Sequence, residues 1–141
     1  IANGIALALK LRQETPQVFC LIGDGEQQEG QIWEAAAFAS QHHLDNVCLI
    51  VDCNGLQLVD SLVSIKNMEP MDLHVDGHDT DALYEAYSAA KTYEGKPTVI
   101  LAHTVKGKGV SYMENQAQWH GAAPDEAQYR LAMDELTTEV P

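Results

Sequence analysis

The chain has 141 residues, 45% of them apolar, and no low-complexity segment, which suits one domain with its own core. Its net charge is −13, from 8 basic against 21 acidic residues, which argues against nucleic acid and an anionic membrane surface as main partners. An anionic cofactor remains open, because a bound divalent cation locally reverses the field.

The first segment, IANGIALALKLR, places Ile1, Ile5 and Leu9 at helical spacing, with Lys10 and Arg12 at its end. It has no basic leading region and no cleavage site, and it is too short to span a membrane. It reads as a helix entered part-way, so a true start upstream of Ile1 is expected. Thr15-Pro16 closes it. Residues 18–22 are apolar without alternation, which predicts a strand buried on both faces. After Gly23-Asp24-Gly25 and a polar turn, a helix is expected over about 31–43. Its stripe is Ile32, Ala35, Ala36 and Ala39, flanked by Trp33 and Phe38. So many alanines on one face would let another backbone approach closely, within the chain or across a subunit contact.

Residues 47–52 form a second apolar run, so strand, helix and strand make a parallel βαβ unit. The pattern then weakens. Residues 61–67 would form one or two helical turns, which Glu69-Pro70 interrupts. Residues 73–75 are a short strand candidate. Asp79, Thr80 or Asp81 can cap a helix reaching Thr92, with Leu83, Ala86, Tyr87 and Ala90 inward. Gly95 and Pro97 stop it, and 98–102 is another apolar strand. Residues 103–121 read as a long polar loop, in which Lys106 and Lys108 are expected to be solvated and mobile. Pro124-Asp125-Glu126 opens a last helix, with Tyr129, Ala132, Met133 and Leu136 on one face.

The organising feature is the pair of polar strand tips. Asp24 follows the first strand and Asn54 follows the second. In an open parallel sheet, ligands bind beyond the C-terminal strand ends. A carboxylate and an amide oxygen there suit Mg²⁺ or Ca²⁺ holding a phosphate-bearing cofactor. Cys20, Cys48 and Cys53 show no zinc-type spacing, and an odd count with two thiols inside strands fits a reducing cytoplasm.

The stretch GDGEQQEGQIWEAAAFASQHHLDNVCLIVDCNGLQ resembles the thiamine diphosphate signature of transketolases, which opens with GDG and closes with an asparagine about thirty residues later. The pieces VDGHD, TVKGKGVSYMEN and WHG are similar to transketolase too, especially the N-terminal subunit of split bacterial forms. The resemblance implies an α/β fold, a mostly parallel sheet flanked by helices, of the thiamine-diphosphate-binding type, over a single domain 1–141. It implies Mg²⁺ held by Asp24, Asn54 and the Leu56 carbonyl. It further implies a Gly25 N–H on the diphosphate, and Glu29 and Glu34 at a dimer interface. His120 would stand at the cofactor and substrate end as a catalytic residue. The implied partners are sugar phosphates and a pyrimidine-binding domain, on a separate subunit or a C-terminal half, assembled as a dimer of pairs. Without that domain the chain alone should not turn over. In the family a helix leads into the strand near Val75. Here only Met71-Asp72-Leu73-His74 stands between Pro70 and Val75, a departure from the pattern. Deoxyxylulose phosphate synthase shares the GDG-to-Asn signature, and a truncated non-catalytic module is the remaining alternative.

Overall fold

The computed structural model describes residues 1–56 and 74–138. The expected turns over 61–67 and the departure at 71–73 lie outside these. The elements are α1 (Ala2–Leu11), β1 (Val18–Gly23), a 3₁₀ turn (Gly25–Gln28), α2 (Gly30–Gln41), β2 (Val47–Cys53), β3 (His74–Asp76), α3 (Thr80–Thr92), β4 (Thr98–His103), a second 3₁₀ turn (Ala117–His120) and α4 (Glu126–Thr138).

The four strands form one sheet in the order β1-β2-β4-β3, and every pair is parallel. From β1 to β2 the chain moves across the sheet in one direction, and from β3 to β4 it moves back. Right-handed crossovers of opposite sense put their helices on opposite faces, and the core divides accordingly. One face packs Ala6, Ala39, Leu44 and Val47, with Ile22, Val51 and Leu101 beside Ile32. The other packs Cys48, Ala90 and Ile100 against Val75, Ala86 and Tyr87. The reversal lies between β2 and β4, and the crevice beyond their C-terminal ends is where such sheets bind ligands.

Helix α3 starts where expected, and Asp79 is its cap, accepting from the N–H groups of Asp81 at 2.9 Å and Ala82 at 3.0 Å. At the opposite end of the sheet from the crevice, Lys10 bonds the His43 carbonyl and reaches Asp45 at 2.8 Å. Asp45 also accepts the Gly95 N–H at 3.0 Å. The Lys10 hydrogen bond holds the Asp45 carboxyl below its usual range.

One expectation about burial is corrected. The interior strand β2 is buried on both faces, with Val51 and Cys48 almost wholly enclosed. Strand β1 is not: Phe19 is 44% exposed and Leu21 69%. Among the described residues it is an edge strand, and α3 meets its back face through an edge-on contact of Tyr87 with Phe19, ring centres 5.9 Å apart. On α2 only Ala39 of the alanine stripe is buried, while Ala35 and Ala36 are exposed and Trp33 is 48% exposed. On α4 Ala132 alone is buried, and Tyr129, Met133 and Leu136 are exposed.

The loop after β4 is a series of turns. Met113 N–H bonds the Val110 carbonyl at 2.8 Å, Asn115 N–H the Lys106 carbonyl at 3.0 Å, and Gly109 N–H the Glu114 carboxylate at 3.0 Å. Val110 is buried beneath them. Gly107 has φ +71°, and a Cβ there would lie 2.7 Å from the Met113 side chain and 2.8 Å from its backbone. Gly107→Ala should therefore cost at least about 2 kcal/mol, from the left-handed conformation and the overlap together. Urea unfolding checks this: the midpoint should fall with the slope unchanged.

Candidate functional site

Strand β1 ends in Gly23, and the chain turns at Asp24 into the 3₁₀ turn. The Asp24 N–H bonds the Asp52 carbonyl at 3.1 Å, which continues the β1–β2 pairing by one residue. The Asp24 side chain is 6% exposed. Its Oδ1 accepts the Gly25 N–H and its Oδ2 accepts the Gly55 N–H, each at 2.8 Å. One carboxylate thus joins the tip of β1 to the tip of β2. Burial pushes the Asp24 carboxyl above the ordinary 3.8; the two N–H bonds pull the other way, and the charge of Asp52 raises it further.

Asn54 follows β2 directly. Its Nδ2 donates to Asp52 Oδ2 at 3.0 Å, and its Oδ1 accepts the Leu56 N–H at 3.0 Å. Asp24, Gly25, Asn54 and Leu56 are therefore brought together in one hydrogen-bonded cluster. The Gly25 N–H is engaged by the Asp24 carboxylate in this structure. Gly55, with φ +74°, turns the chain between Asn54 and Leu56.

The donor chemistry suits a hard cation. Each Asp24 oxygen accepts one N–H and Asn54 Oδ1 accepts one, so each keeps a lone pair. One carboxylate and one amide oxygen are the kind of small hard set that Mg²⁺ takes alongside phosphate and water. Among the described residues no three His, Cys, Asp or Glu side chains gather as metal ligands, and the pair here is one carboxylate and one amide. In the same 3₁₀ turn Gln27 is 5% exposed, its Oε1 has no partner among the described residues, and its carbonyl accepts the Trp33 indole N–H at 2.7 Å. A buried acceptor left open one turn from Asp24 fits a site completed by a bound group.

His120 closes the second 3₁₀ turn and is exposed. The loop that carries it is pinned by Trp119, whose indole N–H bonds the Tyr112 carbonyl at 3.0 Å with the two rings edge-on at 5.2 Å. His120 Nδ1 lies 3.3 Å from Lys106 Nζ. An ammonium only donates, so a hydrogen bond between the two would need Nδ1 as its acceptor. Lys106, expected to be solvated, thus stands beside His120. Its signal in the sequence was the glycine spacing of KGKG, which bends the loop back on itself.

Glu29 precedes α2, and its side chain accepts from Gln31. Glu34 lies one turn into the helix; both carboxylates are exposed, on a helix that also exposes Trp33 and Phe38. His78 Nε2 accepts the Val105 N–H at 2.7 Å. His103 stacks on His74, ring centres 4.7 Å apart.

Asp52 and Thr104 are the residues that sequence reasoning missed. Asp52 ends an otherwise apolar run, and its Oδ1 accepts the Thr104 hydroxyl while Oδ2 holds Asn54. A charged residue closing a buried strand was the available signal.

Residues 11–139 match the family described as "Transketolase, thiamine diphosphate binding domain". The chain belongs to the transketolase thiamine diphosphate-binding family. Among transketolase relatives, it is 36% identical over 148 aligned positions to the 6-deoxy-6-sulfo-D-fructose transketolase subunit SqwG of Clostridium sp. (strain MSTE9), covering 98% of this chain and 54% of that protein. It is 34% identical to one subunit of the apulose-4-phosphate transketolase of Phocaeicola vulgatus, covering 99% and 53%. The crystal structure of Campylobacter jejuni transketolase superposes with a TM-score of 0.89 at 31% identity, over 96% of this chain and 24% of that one. The chain spans about half the length of these two subunit relatives. The parallel sheet flanked by helices is the thiamine-diphosphate-binding fold of transketolases.

Proposed function

We propose that this chain is the diphosphate- and Mg²⁺-holding part of a transketolase, which moves a two-carbon ketol unit between sugar phosphates once paired with a pyrimidine-binding domain. The observation that carries this is the Asp24 carboxylate, buried and bonded to both strand tips at 2.8 Å, beside the Asn54 amide oxygen. Asp24, Asn54 and the Leu56 carbonyl would hold Mg²⁺, and Ca²⁺ suits the same oxygens. Thiamine diphosphate, when bound, supplies the nucleophilic carbon that takes up and releases the two-carbon unit. The chain's own work is positional. Asp24 and Asn54 anchor the metal, and Gly25 brings backbone close to the diphosphate. Lys106 offers a charge to phosphate, and the His120 ring offers a hydrogen bond to a diphosphate or a sugar hydroxyl.

Sugar phosphates as substrates are supported by two relatives, named for 6-deoxy-6-sulfo-D-fructose and apulose-4-phosphate. A second, partnering polypeptide is supported by the word subunit in both names. An assembly as a dimer of pairs, with Glu29 and Glu34 at the interface, is supported by the apolar residues that α2 exposes around them. On this reading 1–141 is one domain, and its compartment is the cytoplasm. The odd cysteine count, with Cys48 buried inside β2, supports that compartment; burial pushes the Cys48 thiol up to about 11. Among the described residues no helix is long and apolar enough to cross a membrane.

The test is a calorimetric titration of thiamine diphosphate into the chain with and without Mg²⁺, alone and with the pyrimidine-domain subunit of a split transketolase. Metal-dependent binding is expected. No binding in the presence of both metal and partner would sink the reading.

A further inference from the structure

An amide side chain is nearly symmetric in shape, and rotation by half a turn exchanges its acceptor for its donors. Asn54 therefore serves a metal only if something fixes which end points where. Asp52 supplies half of that constraint, at the NH₂ end, and the Leu56 N–H the other half, at the oxygen. A carboxylate only accepts, so the Asn54 NH₂ is the end that faces it, at 3.0 Å. The oxygen is thereby turned the other way, toward the Leu56 N–H at 3.0 Å.

Asp52 is itself held. Its Oδ1 accepts the Thr104 hydroxyl, and the Thr104 N–H bonds the Cys53 carbonyl at 3.2 Å. Thr104 directly follows β4, so the β4 end braces the β2 end across the crevice. We propose that Asp52 and Thr104 are positioning residues that fix the Asn54 amide with its oxygen toward the metal, and that this sets a preference for Mg²⁺ over Ca²⁺. The inference rests on the metal-site reading above. Mg²⁺ demands a near-ideal octahedron, whereas Ca²⁺ accepts six to eight oxygens in flexible arrangements. An amide free to turn harms the stricter ion more.

The experiment measures thiamine diphosphate binding as a function of Mg²⁺ and, separately, of Ca²⁺. It uses the full chain with the pyrimidine-domain subunit, for wild type, Asp52→Asn, Thr104→Val and Thr104→Ser. Asp52→Asn replaces an acceptor-only group by one that also donates, so the Leu56 N–H alone is left to set the Asn54 orientation. Its Mg²⁺ affinity should fall about 10- to 100-fold, the usual effect of losing a group that orients a ligand. Ca²⁺ affinity should fall by a smaller factor. Thr104→Val should shift the same ratio in the same direction, and Thr104→Ser, which keeps the hydroxyl, should restore it.

Loss of a negative charge or a general loosening of the fold weakens both ions alike, so the ratio is the deciding readout. Equal losses for the two ions, or no loss, overturn the inference while leaving the metal site standing. Wild type without metal-dependent binding overturns the site and the inference together. If Asp52→Asn does not fold by circular dichroism, the Thr104→Val and Thr104→Ser pair decides by the same ratio.

Discussion

Asp24→Ala should abolish metal-dependent binding of thiamine diphosphate. The carboxylate is the charged member of the proposed oxygen set, and removing it would leave only an amide and a carbonyl, too little for a strongly hydrated Mg²⁺. The same change removes the shared acceptor of the Gly25 and Gly55 N–H groups, which Asp24 holds at 2.8 Å each. Losing the acceptor of these part-buried N–H groups costs about 0.5–1.5 kcal/mol each. The metal-free chain should therefore lose stability by about that amount for each of the two, although the fold survives. Asp24→Asn separates the two effects: it keeps an acceptor for one N–H, so it should be more stable than the alanine variant and still fail to bind. Wild-type affinity in either variant would remove Asp24 from the ligand set.

The pH dependence follows from the same burial. Desolvation raises the folded-state pKa of Asp24 above the ordinary 3.8. A carboxyl raised on folding binds its proton more tightly in the folded chain. Its contribution to stability is therefore present below the unfolded value and lost as pH rises through the folded one. A metal needs the deprotonated oxygen, so protons and Mg²⁺ compete. Mg²⁺ affinity should begin to fall, on acidification, at a pH above that at which an ordinary aspartate protonates. In Asp24→Asn the corresponding slope in metal-free stability should be absent.

How much of this was legible depends on what each residue answers to. Apolar runs marked β1, β2 and β4 in the right places, and the short candidate at 73–75 overlaps β3; the interior strands β2 and β4 are the buried ones. The edge position of β1 depends on pairing order, which no local pattern records, so the exposure of Leu21 was not readable. The stripes of α2 and α4 have helical spacing but are mostly uncovered here, because periodicity reports which face is apolar and not what lies against it. Asp24 and Asn54 were legible because strand tips in a parallel sheet point at one crevice. Asp52 and Thr104 were not, since they lie more than fifty residues apart in sequence and meet only through the β2–β4 pairing.

That pairing also makes Gly77→Ala a change with large expected consequences far from the metal ligands. Gly77 sits just past β3, and its N–H bonds the His103 carbonyl at 2.7 Å. An added Cβ would lie 2.5 Å from Thr104 Cγ2, 3.0 Å from the His103 carbonyl oxygen and 3.2 Å from Ala102 Cβ. Overpacking of this kind costs about 1–3 kcal/mol. Thr104 must move, and it carries the hydroxyl that Asp52 accepts, so Asn54 loses its brace as well. Gly77→Ala should lower both the unfolding midpoint and the Mg²⁺-dependent affinity. Thr104→Ser deletes the crowded methyl and keeps the hydroxyl. Combined with Gly77→Ala, it should recover most of the affinity and part of the stability, with the His103 carbonyl accounting for the remainder. A thermodynamic cycle over the wild type, both single variants and the double variant isolates the coupling. A coupling near zero would mean that the strain enters through the backbone of β4, and the path from Gly77 through Thr104 to Asn54 would have to be abandoned.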